Sequence, residues 1–325
     1  MLPTFADVEA AAAALAPYTI ETPLVEHADL NERIGARVFL KLETFQRTGS
    51  FKFRGAINRI RMIPAANRAK GVVAFSSGNH AQGVAAAAKL FGIPAVIVMP
   101  KDAPVAKLEG TRAYGAEVVF YDRLHDDREA IALALCNRRG ATLVRPFDDA
   151  DVVAGQGTVG LEIARAAAER GVVLDTVLAP CSGGGLVSGI ALALSIASPA
   201  TRVGSVEPEN YDGMRRSLAA GKRMAAPGGA LSIADALMAP IPGEIPFALA
   251  KRHLRDALAV SDMDLTSAEF YAAHTLKLIV ESSGTAALAA LLAGKFVVSG
   301  KPIGIILTGA NCDIAEVAAT CSTGR

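Results

Sequence analysis

Thr176-Val-Leu-Ala-Pro-Cys-Ser-Gly-Gly-Gly-Leu186 opens a stretch without a charged side chain, residues 176–201. Its length would suit a membrane span. Pro180, Ser182, Gly183, Gly184, Gly185 and Ser188 break the apolar run, however, so it reads as a buried strand, a glycine bend and a buried helix. A strand handing over to a helix through small residues is the repeating unit of α/β proteins.

The same rhythm extends in both directions. Val38–Leu42, Gly71–Phe75, Pro94–Met99, Glu117–Tyr121, Arg202–Val206 and Ile303–Leu307 are short, β-branched, apolar runs expected to be strands. An alanine-rich helix is expected from about Gln82 to Phe91. Continuous apolar strands fit parallel sheets covered on both faces. The expected fold is therefore α/β, with mainly parallel twisted sheets flanked by helices. With 325 residues, two domains are expected. A small one at 71–147 is inserted into a larger one made of 1–70 and 148–325, with a site in the crevice between them.

Composition excludes several functions. Lys and Arg total 33 against 32 for Asp and Glu, and no basic cluster exceeds a pair, so neither nucleic acid nor an anionic membrane is an expected partner. Cys136, Cys181, Cys312 and Cys321 form no C-x-x-C pair, which argues against a zinc site or disulfide framework and for a reducing cytoplasm. Asp7 and Glu9 replace the basic start of a signal peptide. After Asp313 only one short helix fits, so no C-terminal regulatory domain is expected.

Ser50-Phe51-Lys52-Phe53-Arg54-Gly55-Ala56 holds the one lysine that solubility does not explain. Set between two phenylalanines, its amine is expected in a pocket, where burial lowers its pKa. A neutral amine is what carbonyl chemistry requires. The competing reading is a lysine stem lying over apolar surface with its head in water.

Three further loops carry small and hydroxyl residues. Ser76-Ser77-Gly78-Asn79-His80 lies between a strand and a helix, where converging N–H groups suit a carboxylate or simply cap the helix. Ser182 to Leu186 leaves amides open to a phosphate. No Gly-Lys-Ser/Thr follows, which removes the P-loop reading. A dinucleotide reading has Glu207 as a ribose-binding acid, but the third glycine, Gly189, falls one position late. A phosphate monoester fits better. Thr308-Gly309-Ala310-Asn311 would put a hydroxyl at the C-terminal edge of the sheet, or would be a plain strand exit.

In this order the motifs resemble the fold type II pyridoxal-phosphate enzymes (tryptophan synthase β-like), specifically the threonine/serine dehydratase and serine racemase family. The resemblance rests on S-F-K-x-R-G-A at 50–56, S-S-G-N-H at 76–80, A-G-Q-G-T at 154–158, S-G-G-G-L at 182–186 and S/T-G-x-N at 308–311. It implies that Lys52 holds pyridoxal 5'-phosphate as a Schiff base and, once freed, takes the Cα proton. It further implies that Phe51 and Asn79 contact the ring and its 3-oxygen. The amides of Ser182, Gly183, Gly184, Gly185 and Leu186 would bind the phosphate, and Thr308 would meet the pyridine nitrogen. Ser76, Ser77, Asn79 and His80 would take the substrate carboxylate, with Arg128 and Ser232 on the substrate side. Ser77, opposite Lys52, would permit racemisation.

The implied activity is a dehydratase (ammonia-lyase) turning a β-hydroxy-α-amino acid such as L-threonine or L-serine into a 2-oxo acid and ammonia. Serine racemase, or a dehydratase for hydroxyaspartate or phenylserine, is the alternative. A β-replacement enzyme and an idle nucleotide sensor are more distant rivals. A homodimer is a family expectation. Glu207-Pro208 resembles the start of a divalent-cation site, but Gly213 stands where a second acid is required, so no metal is assigned. Glu281-Ser282-Ser283-Gly284 has serine where the family often has proline.

Overall fold

The structure is a computed structural model that describes residues 1–323 except 77 and 124. Among the described residues ten strands run, in chain order, as β1 (Leu24–Glu26), β2 (Val38–Leu42), β3 (Val72–Phe75), β4 (Ala95–Pro100), β5 (Glu117–Tyr121), β6 (Thr142–Leu143), β7 (Thr176–Pro180), β8 (Arg202–Pro208), β9 (Asp256–Val260) and β10 (Ile303–Leu307). They form two sheets, one ordered β1-β2-β10-β7-β8-β9 and one ordered β5-β4-β3-β6. Only β1 is antiparallel to its neighbour. The fold is α/β, with helices on both faces of parallel sheets.

Alternation along each strand explains the two-sided burial. In the larger sheet Ile303, Ile305, Leu307 and Leu178 enter one apolar cluster, whereas Ile306, Val177 and Ala179 enter the cluster on the opposite face. In the smaller sheet Val72, Ala74, Ile97 and Met99 face one way, and Val73, Phe75, Val96 and Val98 the other. Every strand residue in β2, β3, β7 and β10 is buried. The uncharged stretch at 176–201 is strand β7, the glycine bend and helix Gly185–Ala197. No described helix is long and apolar enough to cross a membrane.

Helix Lys52–Arg61 joins the two sheets. Phe53, Ala56, Ile57 and Ile60 on it enter the apolar cluster of the smaller sheet. Its other face meets helix Ala150–Glu169 so closely that a Cβ on Gly55 would lie 2.9 Å from Val152, and one on Gly155 2.7 Å from the Arg54 carbonyl. Arg54 is fully buried on this helix and forks to Glu43 (2.8 Å to each oxygen) and to Glu162 (2.5 and 2.9 Å). Lys41 completes the group, 2.6 Å from Glu162. Two cations and two anions sealed together leave no uncompensated charge. Their directed bonds tie the start of this helix to β2 and to helix Ala150–Glu169.

Candidate active site

Parallel strands deliver their following loops to one edge, which is where ligands of α/β proteins bind. Here the loops after β3, β7 and β10 meet the start of helix Lys52–Arg61. Phe51 N–H donates to the Thr308 carbonyl at 3.2 Å and Ala310 N–H to the Gly49 carbonyl at 2.9 Å, which seats Lys52 against the β10 loop.

Lys52 is half-buried in the pocket these loops enclose. Its Nζ donates to the Pro146 carbonyl at 3.0 Å and lies 5.2 Å from the centre of the Phe51 ring. Among the described residues it has no ion pair. Desolvation alone lowers its pKa from 10.5 to about 8. Phe53 does not share the pocket. Adjacent helical positions point to different sides, and Phe53 fills the core of the smaller sheet instead. Of the two phenylalanines that flank Lys52 in sequence, only Phe51 lies on the pocket wall.

A pKa of about 8 makes a measurable prediction. At pH 7 roughly one amine in ten is neutral, against fewer than one in a thousand for an ordinary lysine. The rate at which the apo chain captures an aldehyde at Lys52 should rise with pH and level off above about 8. Stopped-flow absorbance across pH 6–10 checks this, and a rate still climbing towards 10.5 would contradict the site's desolvation.

The β7 loop carries the anion-binding features. Gly184 has φ +95°, a left-handed conformation that side chains resist, and a Cβ there would lie 2.5 Å from Met214. On Gly183 a Cβ would come within 2.3 Å of the Phe147 ring. Helix Gly185–Ala197 begins at once, so the N–H groups of its first turn have no intrahelical acceptor and carry the positive end of its dipole. Ser182 Oγ accepts from Ala239 N–H at 3.1 Å, leaving its own proton to donate. Ser182, Gly183, Gly184, Gly185 and Leu186 all line the pocket, as does Thr308. A phosphate and an aldehyde thus find an anion cradle and a partly neutral amine in one cavity, so the residues present fit pyridoxal phosphate.

The β3 loop supplies Ser76, Asn79 and His80 to the same wall. Ser77 lies outside the described residues. The His80 ring has a defined tautomer. Its Nε2 lies 2.9 Å from the Val144 carbonyl, which only accepts, so that nitrogen holds the proton. Nδ1 is then an acceptor, buried and without a partner among the described residues. Burial, and secondarily the charge of Lys52, lowers the pKa of His80 to about 3, so the ring is neutral. Such a ring offers a carboxylate no positive charge, and the groups of this loop suited to one are the backbone N–H groups at the start of helix Asn79–Leu90.

Two substrate-side residues separate. Arg128 lines the pocket with its guanidinium 5.5 Å from the Phe75 ring centre and no ion pair among the described residues. Ser232 is absent from the pocket lining, because its hydroxyl is committed to Asp262 Oδ1 at 2.6 Å. Glu207 is also elsewhere. Completely buried, it accepts from the Met214 and Arg215 amides at 2.8 Å each, and Asp212 is held by Arg215 and Arg216. Enclosed in this way, Glu207 cannot reach a ribose.

The pocket also contains charges that sequence reading passed over. Lys107, from helix Val105–Ala113, puts its Nζ 2.7 Å from Asp235 and 3.4 Å from Glu281. Nothing in the sequence around Lys107 or Asp235 distinguishes them from solvated charges.

The profile of the family "Pyridoxal-phosphate dependent enzyme" matches residues 15–309. The L-threo-3-hydroxyaspartate ammonia-lyase of a Pseudomonas species is 43% identical, over 98% of this chain and 98% of that protein. The enzyme of the same name from Saccharomyces cerevisiae is 40% identical over 99% and 97%. The solved structure of maize serine racemase shares the fold with a TM-score of 0.92 at 36% identity, over 99% of this chain and 98% of the other. Nearly the whole chain, and not the site alone, therefore places it in the family of pyridoxal-phosphate-dependent fold type II enzymes, among the ammonia-lyases and amino-acid racemases.

Proposed function

We propose that this enzyme is an ammonia-lyase for a β-hydroxy-α-amino acid bearing a second carboxylate, 3-hydroxyaspartate. The observation that carries the substrate choice is Arg128, a guanidinium on the pocket wall with no anionic partner among the described residues. A planar fork of donors pairs with a carboxylate far better than with the methyl of threonine. The two hydroxyaspartate ammonia-lyases at 40 and 43% identity support the same choice.

Pyridoxal phosphate, when bound, supplies an electron sink for the pair left on Cα. The glycine bend at 182–186 and the N-terminus of the helix after it would hold the phosphate. Lys52, near neutrality, takes the Cα proton. In its protonated form it donates to the β-hydroxyl as the Cβ–O bond breaks and water leaves. Thr308, on the pocket wall, would offer the ring nitrogen a neutral hydroxyl in place of a carboxylate that would keep it protonated, a weaker sink that favours elimination over transamination. The released enamine hydrolyses to a 2-oxo acid and ammonia. The three described cysteines, all free thiols, support a reducing compartment such as the cytoplasm.

A panel of L-threonine, L-serine, phenylserine and 3-hydroxyaspartate, scored for 2-oxo acid and for chirality of recovered amino acid, tests this reading. The highest kcat/KM should fall on 3-hydroxyaspartate with ammonia released. Accumulation of D-serine without ammonia would favour the racemase instead.

A further inference from the structure

Glu281 takes no part in the chemistry above, yet it is 4% exposed and lies on the pocket wall. A buried carboxylate is costly unless its oxygens are engaged, so its partners are informative. Oε1 accepts from Asn79 Nδ2 at 2.5 Å. Oε2 lies 3.4 Å from Lys107 Nζ, whose ammonium is shared with Asp235. On its other side Asn79 Oδ1 accepts from Asn311 Nδ2 at 2.8 Å, and that same nitrogen donates to the Thr48 carbonyl at 2.7 Å.

This chain of contacts has only one consistent orientation. The Thr48 carbonyl accepts only, so the Asn311 nitrogen must face it and must also face Asn79. The atom of Asn79 towards Asn311 is then its oxygen, and its nitrogen faces Glu281. An amide whose flip is otherwise a free choice is fixed from both ends. One hydrogen on Asn79 Nδ2 remains, and Asn79 lines the pocket.

We infer that Glu281 is a positioning residue: with Asn311 it holds the Asn79 amide so that an N–H, and not a carbonyl, meets the 3-oxygen of the bound cofactor. The inference rests on the reading that Asn79 contacts that oxygen. A donated N–H favours the ionised oxygen, and with it the longer-wavelength absorption of the bound cofactor. Lys107 supplies the counter-charge of Glu281 and shares it with Asp235, which links helix Val105–Ala113 of the smaller sheet to the cofactor's edge.

The test uses holoenzyme at fixed pH and reads the ratio of visible to near-ultraviolet absorbance of the bound cofactor. Glu281→Gln has a single acceptor oxygen, which the Lys107 ammonium draws to its own side, so that an –NH2 is turned towards the Asn79 –NH2; the ratio should fall about fivefold, the size expected for one lost orienting hydrogen bond. Asn79→Ala should lower it at least as much, and adding Glu281→Gln to Asn79→Ala should change nothing further. An equal drop from Glu281→Gln in both backgrounds, or a lower melting temperature with an unchanged ratio, overturns the inference. An unchanged ratio in Asn79→Ala alone would instead sink the reading of Asn79 on which it rests. Should Glu281→Gln fail to fold, Lys107→Met, which strips Glu281 of its counter-charge, must move the ratio the same way for the inference to survive.

Discussion

Lys52→Ala should yield a folded, colourless protein that releases no ammonia from any β-hydroxy amino acid. The side chain makes a single hydrogen bond, to the Pro146 carbonyl, and belongs to no ion pair among the described residues. Its removal therefore costs little structure, and the melting temperature should move by only a few degrees, as expected for about 1 kcal/mol in a chain of this size. Chemistry is affected differently. Of the two lysine amines that line the pocket among the described residues, Lys107 is held by Asp235 and Glu281, which leaves Lys52 as the candidate for covalent attachment of the aldehyde and for removal of the Cα proton. Proton transfer by a placed base alone contributes roughly 10²–10⁴-fold, and covalent attachment adds to that. Absorbance of the purified protein and a coupled ammonia assay measure both consequences. A yellow, active Lys52→Ala variant would end the assignment. Arg54 provides a contrast at the same helix start. It does not line the pocket, but Arg54→Met would leave buried Glu43 with no ion-pair partner among the described residues and Glu162 with Lys41 alone, so its effect falls on folding before chemistry.

What could be read from the chain follows burial. Seven strands are legible as apolar runs because six lie inside the sheets with both faces covered, and the seventh, edge strand β5, retains Val-Val-Phe-Tyr. The three strands that sequence reading missed, β1, β6 and β9, are all edges. They are short or half-exposed, and Asp256-Ala-Leu-Ala-Val260 buries only its last residue. At the site, glycines and hydroxyls announced themselves because loops seldom need three glycines in a row. The charges did not. Lys107 and Asp235 look like surface residues until the elements of the two sheets close over them, a tertiary fact with no local signature. The His80 tautomer is another such case, since it is decided by the carbonyl of Val144, 64 residues away. Phe53 was legible in principle, because helical spacing already sends it away from Lys52.

Arg128→Met should change which substrate the enzyme prefers. The pocket holds three cations, Lys52, Lys107 and Arg128, and they are not equivalent. On the proposed mechanism Lys52 serves the reacting carbon. Lys107 is already bonded to Asp235 at 2.7 Å and lies 3.4 Å from Glu281, so a substrate anion would have to displace a carboxylate to use it. Among the described residues Arg128 has no ion pair and sets its guanidinium against the face of Phe75, a contact that orients it without consuming its in-plane donors. Charge-assisted, bidentate recognition of a carboxylate is worth about 2–4 kcal/mol when the partner is otherwise left unpaired. The ratio of kcat/KM for 3-hydroxyaspartate over that for serine should therefore fall roughly 30- to 1000-fold in Arg128→Met. Arg128→Lys keeps the charge but loses the fork, and should fall in between. Steady-state kinetics on the two substrates settles the matter. An equal loss on both would place Arg128 against the α-carboxylate common to them, and the preference for an acidic side chain would have to be abandoned.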